Sequence, residues 1–304
     1  MSTTTAVRDL AVGREAPAIQ VEPSRWEKAL HYASDHRLSL FAALLLVVLS
    51  LLALLAPWVA PHDAATQFRD AGRMGQPLAP NARFWLGTDN LQRDLLSRLI
   101  VGARVTLSVG LGASVLSTIF GLCFGSLAGL ARGAVDNVLM RMVDVVISLP
   151  LLFIIMLLVL ILGRSLWVTM GAIAAVSWTY PARVFRAEVM ALKEQEFVLA
   201  ARSIGTGNGQ IFLRHILPHL APLGVIYVGV GVPAAIFAEA GLSFLGLGIP
   251  PPTPAWGSMV QEGLSYYRAA PLLVLMPGLC IMLTSICFTM LGSGLRDALD
   301  PGLR

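Results

Sequence analysis

Apolar and polar segments alternate along the chain, and the apolar segments carry no charge. They lie at residues 38–60, 105–130, 145–162, 166–180, 221–238 and 271–292. Each is close to the roughly 20 residues that an α-helix needs to cross the hydrocarbon core of a bilayer. The pattern therefore predicts an all-α membrane protein with six transmembrane helices.

The polar segments divide the chain into its predicted parts. These are a cytoplasmic N-terminal tail at 1–37, a first transmembrane helix at 38–60, an extra-cytoplasmic loop at 61–104, a five-helix core at 105–293 and a cytoplasmic C-terminus at 294–304. Six crossings place both termini on one side, and the excess of Lys and Arg there predicts that this side is the cytoplasm. A cleaved signal peptide fits 38–60 less well, because a long tail precedes this apolar run and the run exceeds a typical signal core.

Composition agrees with a membrane protein and argues against other classes. Hydrophobic residues make up 56% of the 304 residues and charged residues 13%, which is more apolar surface than one soluble core of this size buries. The net charge of +4 comes mostly from Arg at the ends of apolar segments, so it indicates membrane flanks and no nucleic-acid partner. Cys123, Cys280 and Cys287 lie inside apolar segments without metal-ligand spacing, so neither disulfides nor a zinc site are predicted.

A glycine repeat marks one face of the predicted span at 105–130. Gly121, Gly125 and Gly129 follow one another at four-residue intervals, which brings them onto the same side of a helix. Without side chains on that side, a second helix can approach closely. The repeat predicts helix packing and says little about chemistry.

The sequence shows no catalytic or cofactor site. A protein that hydrolyses ATP needs a phosphate-binding loop such as G-x-x-x-x-G-K-[ST], and neither Lys28 nor Lys193 follows a glycine-rich turn. His215 and His219 are spaced i, i+4, but beside Pro218 they are more typical of a helix end than of a metal site. We expect no catalytic, cofactor-binding or metal-ligating residue, and an intramembrane enzyme is a remote alternative.

Ionisable residues near the predicted spans are few, and they are Arg141, Asp144 and Glu239. Secondary transporters and channels usually place such groups near the bilayer midplane. Asp144 lies near the cytoplasmic end of its span, one turn from Arg141, whereas Glu239 lies near the outer end of its span. A structural role and a role in gating or substrate passage both remain open for these residues.

The polar segment at 183–218 contains a motif. It reads Leu199-Ala200-Ala201-Arg202-Ser203-Ile204-Gly205 and then His215-Ile216-Leu217-Pro218. This resembles the E-A-A-x3-G-x9-I-x-L-P loop of type I ABC-importer permeases, with Leu199 in place of Glu and His215 in place of Ile. In that family the loop forms a coupling helix that rests in a groove of an ATPase subunit. The resemblance implies these coupling residues: Glu196, Leu199, Ala200, Ala201, Arg202, Gly205, Leu217 and Pro218.

Two further segments narrow the resemblance to the C-type subunits of dipeptide and oligopeptide permeases. Residues 85–98 resemble the element L-G-T-D-x-x-G-R-D-x-L-S-R, with Gln92 in place of Gly, and residues 240–257 resemble L-S-F-L-G-L-G-x-x-P-P-x-P-x-W-G. Both segments are rich in turn formers, so we expect a rigid outer rim on which a binding protein docks. The residues assigned to this rim are Gly87, Thr88, Asp89, Arg93, Asp94, Pro254, Trp256 and Gly257.

The resemblance extends from about residue 38 to residue 304 and implies a type I ABC-importer permease fold in a bacterial inner membrane. The implied partners are a homologous B-type permease, two ATPase subunits that bind ATP and Mg, and an extra-cytoplasmic peptide-binding protein. The implied cargo is dipeptides or short oligopeptides, which cross by alternating access between the two permeases. Import of nickel, glutathione or another small solute by the same architecture is the alternative, and a secondary transporter is a distant one.

Overall fold

The computed structural model describes residues 37–70, 74–131 and 133–299. The predicted tail at 1–37 lies outside these residues except for Arg37, as do residues 300–304 of the predicted C-terminus. Within the described residues the regular elements are helices, apart from an isolated bridge between Thr88 and Asp94. The α-helices are α1 (Arg37–Leu54), α2 (Ala56–Val59), α3 (Leu95–Leu130), α4 (Ala134–Ser148), α5 (Leu151–Leu162), α6 (Leu166–Ser177), α7 (Thr179–Leu192), α8 (Glu196–Ser203), α9 (Asn208–Ile211), α10 (Leu217–Phe244), α11 (Trp256–Gly263) and α12 (Leu272–Leu299).

The predicted apolar segments all correspond to helices of this fold. In the described part of the chain, 4 helical stretches are long and apolar enough to cross a membrane alone: α1, α3, the stretch from α9 through α10, and α12. The pair α4 and α5 passes the same test only jointly, and α6 is a shorter apolar helix. The prediction of an all-α membrane protein is confirmed.

Two helices extend past the predicted boundaries, because charged residues do not end them at these points. The predicted loop at 61–104 is interrupted by α3, which begins at Leu95. Asp94 caps its first turn, since its carboxylate accepts a hydrogen bond from the Ser97 backbone N–H at 3.1 Å. At the other end of the chain, α12 runs to Leu299 and so includes part of the predicted C-terminal segment at 294–304.

The predicted span at 145–162 is divided between two helices. Helix α4 ends at Ser148 and α5 begins at Leu151, and the two helices are bent by 89°. Pro150 explains the break, because the residue before a proline is disfavoured in helical conformation. Leu149 accordingly has an extended backbone, with φ −90° and ψ 140°.

The glycine face of α3 packs against α7, as the repeat predicted. A Cβ added at Gly121 would lie 2.6 Å from Pro181 Cβ, and one at Gly129 would lie 2.8 Å from Val189 Cβ. Residues 183–192, predicted as the start of a polar loop, are instead the second half of α7. Their buried side is explained by this contact with α3.

Replacing Gly125 with alanine is expected to destabilise the fold. A Cβ at this position would lie 2.3 Å from the backbone oxygen of Ala182, so the two helices must move apart, at a cost of about 1–3 kcal/mol. The measurement is the melting temperature of the purified chain in detergent. Gly171→Ala is the matched control, because nothing lies within 4 Å of the added Cβ there. Equal melting temperatures for the two variants would contradict the predicted crowding.

Candidate functional site

Helix α8 is the short helix of the coupling motif, and its C-terminus has the geometry that the motif predicts. Gly205 has φ +85°, a left-handed conformation that favours glycine. The Gly205 N–H donates to the Arg202 carbonyl at 3.0 Å, and the Thr206 N–H donates to the Ala201 carbonyl at 3.1 Å. These two bonds form a Schellman motif, which ends the helix and turns the chain back.

The two sides of α8 have different environments. Val198 and Ala201 are buried in an apolar cluster of this chain, whereas Leu199 and Ile204 are 43% and 83% exposed. We call the exposed side the α8 surface, formed by Glu196, Leu199, Ala200, Ser203 and Ile204. We call the apolar cluster the α8 cluster, formed by Phe185, Val189, Leu192, Val198, Ala201, Ile211, Ile216 and Leu220.

The structure separates the two alanines that the motif assigned to one contact. Ala200 is exposed, but Ala201 faces the α8 cluster and is not accessible to another protein. Of the other assigned residues, Arg202 and Pro218 are exposed and Leu217 is half-buried. Ala201 therefore fixes α8 to its own chain.

His215 and His219 connect α8 to the start of α10. The His219 ring stacks on Phe197, with ring centroids 5.3 Å apart and an interplanar angle of 17°. Its Nδ1 lies 2.7 Å from the His215 carbonyl oxygen. Among the described residues no group of three or more His, Cys, Asp or Glu could hold a metal ion. The geometry of the two histidines is that of a structural contact.

Ionic contacts fix α7, which leads into α8, to its neighbours. Arg186 donates two hydrogen bonds to the Asp136 carboxylate on α4, both at 2.6 Å, and this bonding raises the pKa of Arg186 above its ordinary value. The Lys193 ammonium donates to the Gly129 carbonyl at the end of α3 at 2.9 Å. These contacts tie α7 and the residue after it to α3 and α4.

Asp144 has a closer partner than the one that the sequence predicted. The Arg183 guanidinium on α7 lies 2.6 Å from the Asp144 carboxylate, whereas Arg141 lies 3.8 Å away with its side chain 84% exposed. Glu239 lies near the C-terminus of α10, fully buried, and accepts a hydrogen bond from the Ser243 hydroxyl at 2.7 Å. Its second carboxylate oxygen has no hydrogen-bond partner.

The predicted rim residues around Asp89 form a buried ion cluster. Arg93 Nε lies 2.6 Å from an Asp89 carboxylate oxygen, and Arg98 Nε lies 3.4 Å from the same atom. Both arginines also donate to one oxygen of Glu262 on α11, at 2.8 and 2.9 Å. We call these four residues the rim cluster. It joins the segment before α3 to α11.

Backbone geometry around the rim cluster explains the glycine-rich element of the sequence. Gly87 has φ +81°, and an added Cβ would lie 2.2 Å from the Leu78 carbonyl oxygen. The family element that this segment resembles has Gly at the position of Gln92. Gln92 has φ +60°, in the region that glycine adopts most easily. Its side-chain amide donates to the Gln76 carbonyl. The turn is therefore formed with glutamine as well. Thr88, beside them, is buried, and its hydroxyl accepts a hydrogen bond from the Leu78 N–H at 3.1 Å.

Trp256 fixes the other predicted rim segment. Its indole N–H donates to the Leu99 carbonyl on α3 at 3.0 Å, and its side chain is 1% exposed. Pro254 and Gly257 are buried beside it, and a Cβ at Gly257 would lie 2.6 Å from Ala240 Cα on α10. Asp89 and Trp256 are thus inaccessible from outside the chain. They hold α3, α10 and α11 in a rigid arrangement.

Comparison with known protein families decides the identification. Residues 121–304 match the family model described as "binding-protein-dependent transport system inner membrane component". Residues 24–80 match the model of the N-terminal transmembrane domain of oligopeptide transport permease C. The chain belongs to the binding-protein-dependent transport system inner membrane components. It is a permease of this family.

Individual relatives cover nearly the whole permease. It is 40% identical over 292 residues to the di/tripeptide transport system permease protein DppC of Pseudomonas aeruginosa, covering 93% of this chain and 94% of the relative. It is 36% identical over 299 residues to the glutathione transport system permease protein GsiD of Shigella boydii, covering 98% of each chain. A chain of the MetNI methionine ABC transporter, in inward-facing conformations, shares the fold, with a TM-score of 0.55, 16% identity, and coverage of 67% of this chain and 96% of that one.

Sequence reasoning missed several residues of the permease that act at these sites. Arg183 and Glu262 are far in sequence from the groups they contact, so no local motif pointed to these contacts. Phe185 carries no charge and belongs to no motif, yet it is fully buried in the α8 cluster. The spacing of Phe185, Val189 and Leu192 at helical intervals was the signal that could have identified this cluster.

Proposed function

We propose that this chain is one of two permease subunits of an ATP-driven importer that carries di- and tripeptides into the bacterial cytoplasm. The observation that carries the proposal is the 40% identity to a di/tripeptide permease over 93% of the chain. The matched N-terminal domain of oligopeptide permease C supports the same cargo class. The chain lies in the inner membrane, with both termini on the cytoplasmic side.

The α8 surface is the site that receives the ATPase subunit. It offers exposed Leu199 and Ile204 around the small side chain of Ala200, which is suited to a close fit in a groove of another protein. The opposite side of α8 is packed into the α8 cluster, so α8 moves together with α7 and α10. Two partner ATPases bind ATP and Mg, and this chain contributes no catalytic group of its own.

The remaining partners are a homologous B-type permease and an extra-cytoplasmic peptide-binding protein. Since Asp89 and Trp256 are buried, the binding protein contacts the exposed residues beside them. Trp85, 69% exposed, and the exposed residues Pro251, Pro252 and Thr253 supply such a surface. The buried rim residues hold this surface rigid.

Glutathione is a second candidate cargo, because a glutathione permease is 36% identical to this chain over 98% of its length. Glutathione is itself a tripeptide, so both cargoes require a path for peptide bonds and charged ends. Import of nickel by the same architecture requires a different path, because a nickel ion is usually bound by His, Cys or carboxylate ligands.

Uptake assays in cells that lack their own peptide importers distinguish these cargoes. Cells that express this chain with its partner subunits are expected to take up labelled dipeptides and tripeptides only when the ATPases are active. Excess unlabelled dipeptide is expected to compete, and nickel is not. Preferential uptake of nickel, or uptake that persists without the ATPases, would overturn the proposal, and preference for glutathione over dipeptides would select the second candidate.

A further inference from the structure

A groove of about 190 Å³ lies between α3, the junction of α6 with α7, and α10. Its wall is mostly apolar, and the hydroxyl groups of serine and tyrosine side chains supply its polar part. We call it the hydroxyl groove and define it by Ser117, Ser177, Tyr180, Tyr227, Gly231 and Ala234. None of the residues that line it is Asp, Glu, Lys or Arg.

The lining indicates which environment the groove faces. Polar groups on a transmembrane helix are unfavourable against lipid, so they usually face a water-filled cavity or another protein. Helix α5 shows the contrasting case, with Leu157, Leu160 and Ile161 all more than half exposed and no hydroxyl among them. The hydroxyl groups of the groove suit a surface turned away from lipid, whereas this side of α5 suits lipid contact.

The groove has room because its floor is made of small residues in close contact. The Ser114 hydroxyl on α3 donates to the Val228 carbonyl on α10 at 2.7 Å. A Cβ added at Gly231 would lie 2.3 Å from the Ser114 hydroxyl oxygen. Above this floor Ala234 is exposed, so nothing fills the space next to it.

The chemistry of the groove suits the main chain of a peptide. Peptide N–H and C=O groups lose their water in a narrow path and need both donors and acceptors, which serine and tyrosine hydroxyls supply. Neutral walls do not select for the charge of a cargo side chain. A groove of this kind passes short peptides of varied sequence.

One end of the groove is linked to α8. The rings of Tyr180 and Tyr227 lie 5.9 Å apart, and the ring of Phe185 lies 6.0 Å from Tyr227. Phe185 is fully buried in the α8 cluster together with Val198 and Ala201 of α8. Because packed side chains of this kind move together, displacement of α8 reaches the tyrosine pair through Phe185.

We propose that the hydroxyl groove is this chain's share of the peptide path, and that Tyr180 and Tyr227 hydrogen-bond the peptide main chain at its α8 end. The proposal rests on the proposed peptide import. To the proposed function it adds the surface that contacts the cargo and the route by which movement of α8 changes the width of the groove.

Cysteine labelling in the complete importer tests the location of the path. In a variant with Cys123, Cys280 and Cys287 replaced by serine, Ala234→Cys is expected to react with a water-soluble thiol reagent on the order of tenfold faster than Leu160→Cys. The reason is that only a hydrated thiol ionises to the reactive thiolate. A saturating transported dipeptide is expected to slow the reaction at Ala234→Cys. Equal rates at the two positions, or no protection by dipeptide, would overturn the proposal.

Kinetics of the tyrosine variants test the contact with cargo. Tyr180→Phe and Tyr227→Phe remove one hydroxyl each and keep the ring packing, so each is expected to lower the maximal rate of dipeptide uptake about two- to tenfold, because the path acts after the binding protein has delivered the dipeptide. A purely structural role would lower the ATPase activity of the assembled importer and the amount of permease in membranes in the same proportion as uptake. Unchanged uptake per ATP hydrolysed in the double variant would overturn the contact. If the unsubstituted importer fails to take up dipeptides at all, the proposed function is wrong instead.

Discussion

Replacing Ala200 with tryptophan is expected to abolish ATP-driven uptake while the permease still folds and inserts. Ala200 lies on the α8 surface and takes no part in the α8 cluster, so the larger side chain disturbs no packing within the chain. It does enlarge the surface that we propose enters a groove of the ATPase subunit. Overpacking of a well-fitted contact is unfavourable by about 1–3 kcal/mol or more.

The measurements are uptake, the ATPase activity of the assembled importer, and the amount of permease in membranes. Ala65→Trp is the matched control, since Ala65 is exposed in the segment between α2 and α3 and lies outside the α8 surface. Normal uptake by Ala200→Trp would contradict the assignment of α8 as the coupling helix.

Ala201→Trp separates the roles of the two adjacent alanines. Ala201 is 7% exposed within the α8 cluster, so tryptophan there is expected to reduce folding and the amount of permease in the membrane. Ala200→Trp is expected to leave that amount unchanged. Similar amounts of the two variants in the membrane would contradict an orientation of α8 in which Ala201 faces the α8 cluster and Ala200 faces away from it.

The coupling motif predicted the helix and its end but not its orientation. Gly205 at the end of α8 has the left-handed backbone that the motif requires. Consecutive residues of a helix, however, point about 100° apart, so Ala200 and Ala201 cannot both face one partner. Which of them faces inward depends on Phe185 and Ile211, and nothing in the motif itself indicates their positions.

The hydropathy pattern located the helices but misplaced two of their ends. The predicted span at 105–130 started too late, because Arg98 and Arg104 interrupt the apolar pattern although α3 includes both. Arg98 is tolerated inside the fold because Asp89 and Glu262 pair with it. The signal for the true start was present in the sequence, since Asp94 is a typical N-cap residue.

The long-range contacts could not be predicted from one sequence. Arg93 and Asp89 are four residues apart and belong to one motif, so their proximity was foreseeable. Glu262, which joins both arginines, belongs to a segment at the far end of the chain, and only the packing of α11 on α3 brings it near. The same holds for the hydroxyl groove, whose walls come from helices distant in sequence.

Replacing Asp89 with asparagine is expected to destabilise the permease strongly. Asp89 and Glu262 balance Arg93 and Arg98 in the rim cluster, and the side chains of Asp89 and the two arginines are at most 6% exposed. Removing one carboxylate leaves a buried positive charge without its partner. Such changes cost about 3–5 kcal/mol, which corresponds to a fall in melting temperature of roughly 6 °C or more.

Asp70→Asn is the matched control for this prediction. Asp70 also pairs with an arginine, Arg83 at 2.9 Å, and this hydrogen bond holds the pKa of Asp70 below its ordinary value. Both side chains are largely exposed, however, so water replaces the lost contact and we expect no measurable change in melting temperature. Asp89→Asn combined with Arg93→Gln restores the charge balance and is expected to recover part of the loss. A melting temperature of Asp89→Asn equal to that of Asp70→Asn would show that the rim cluster does not hold α3 and α11 together.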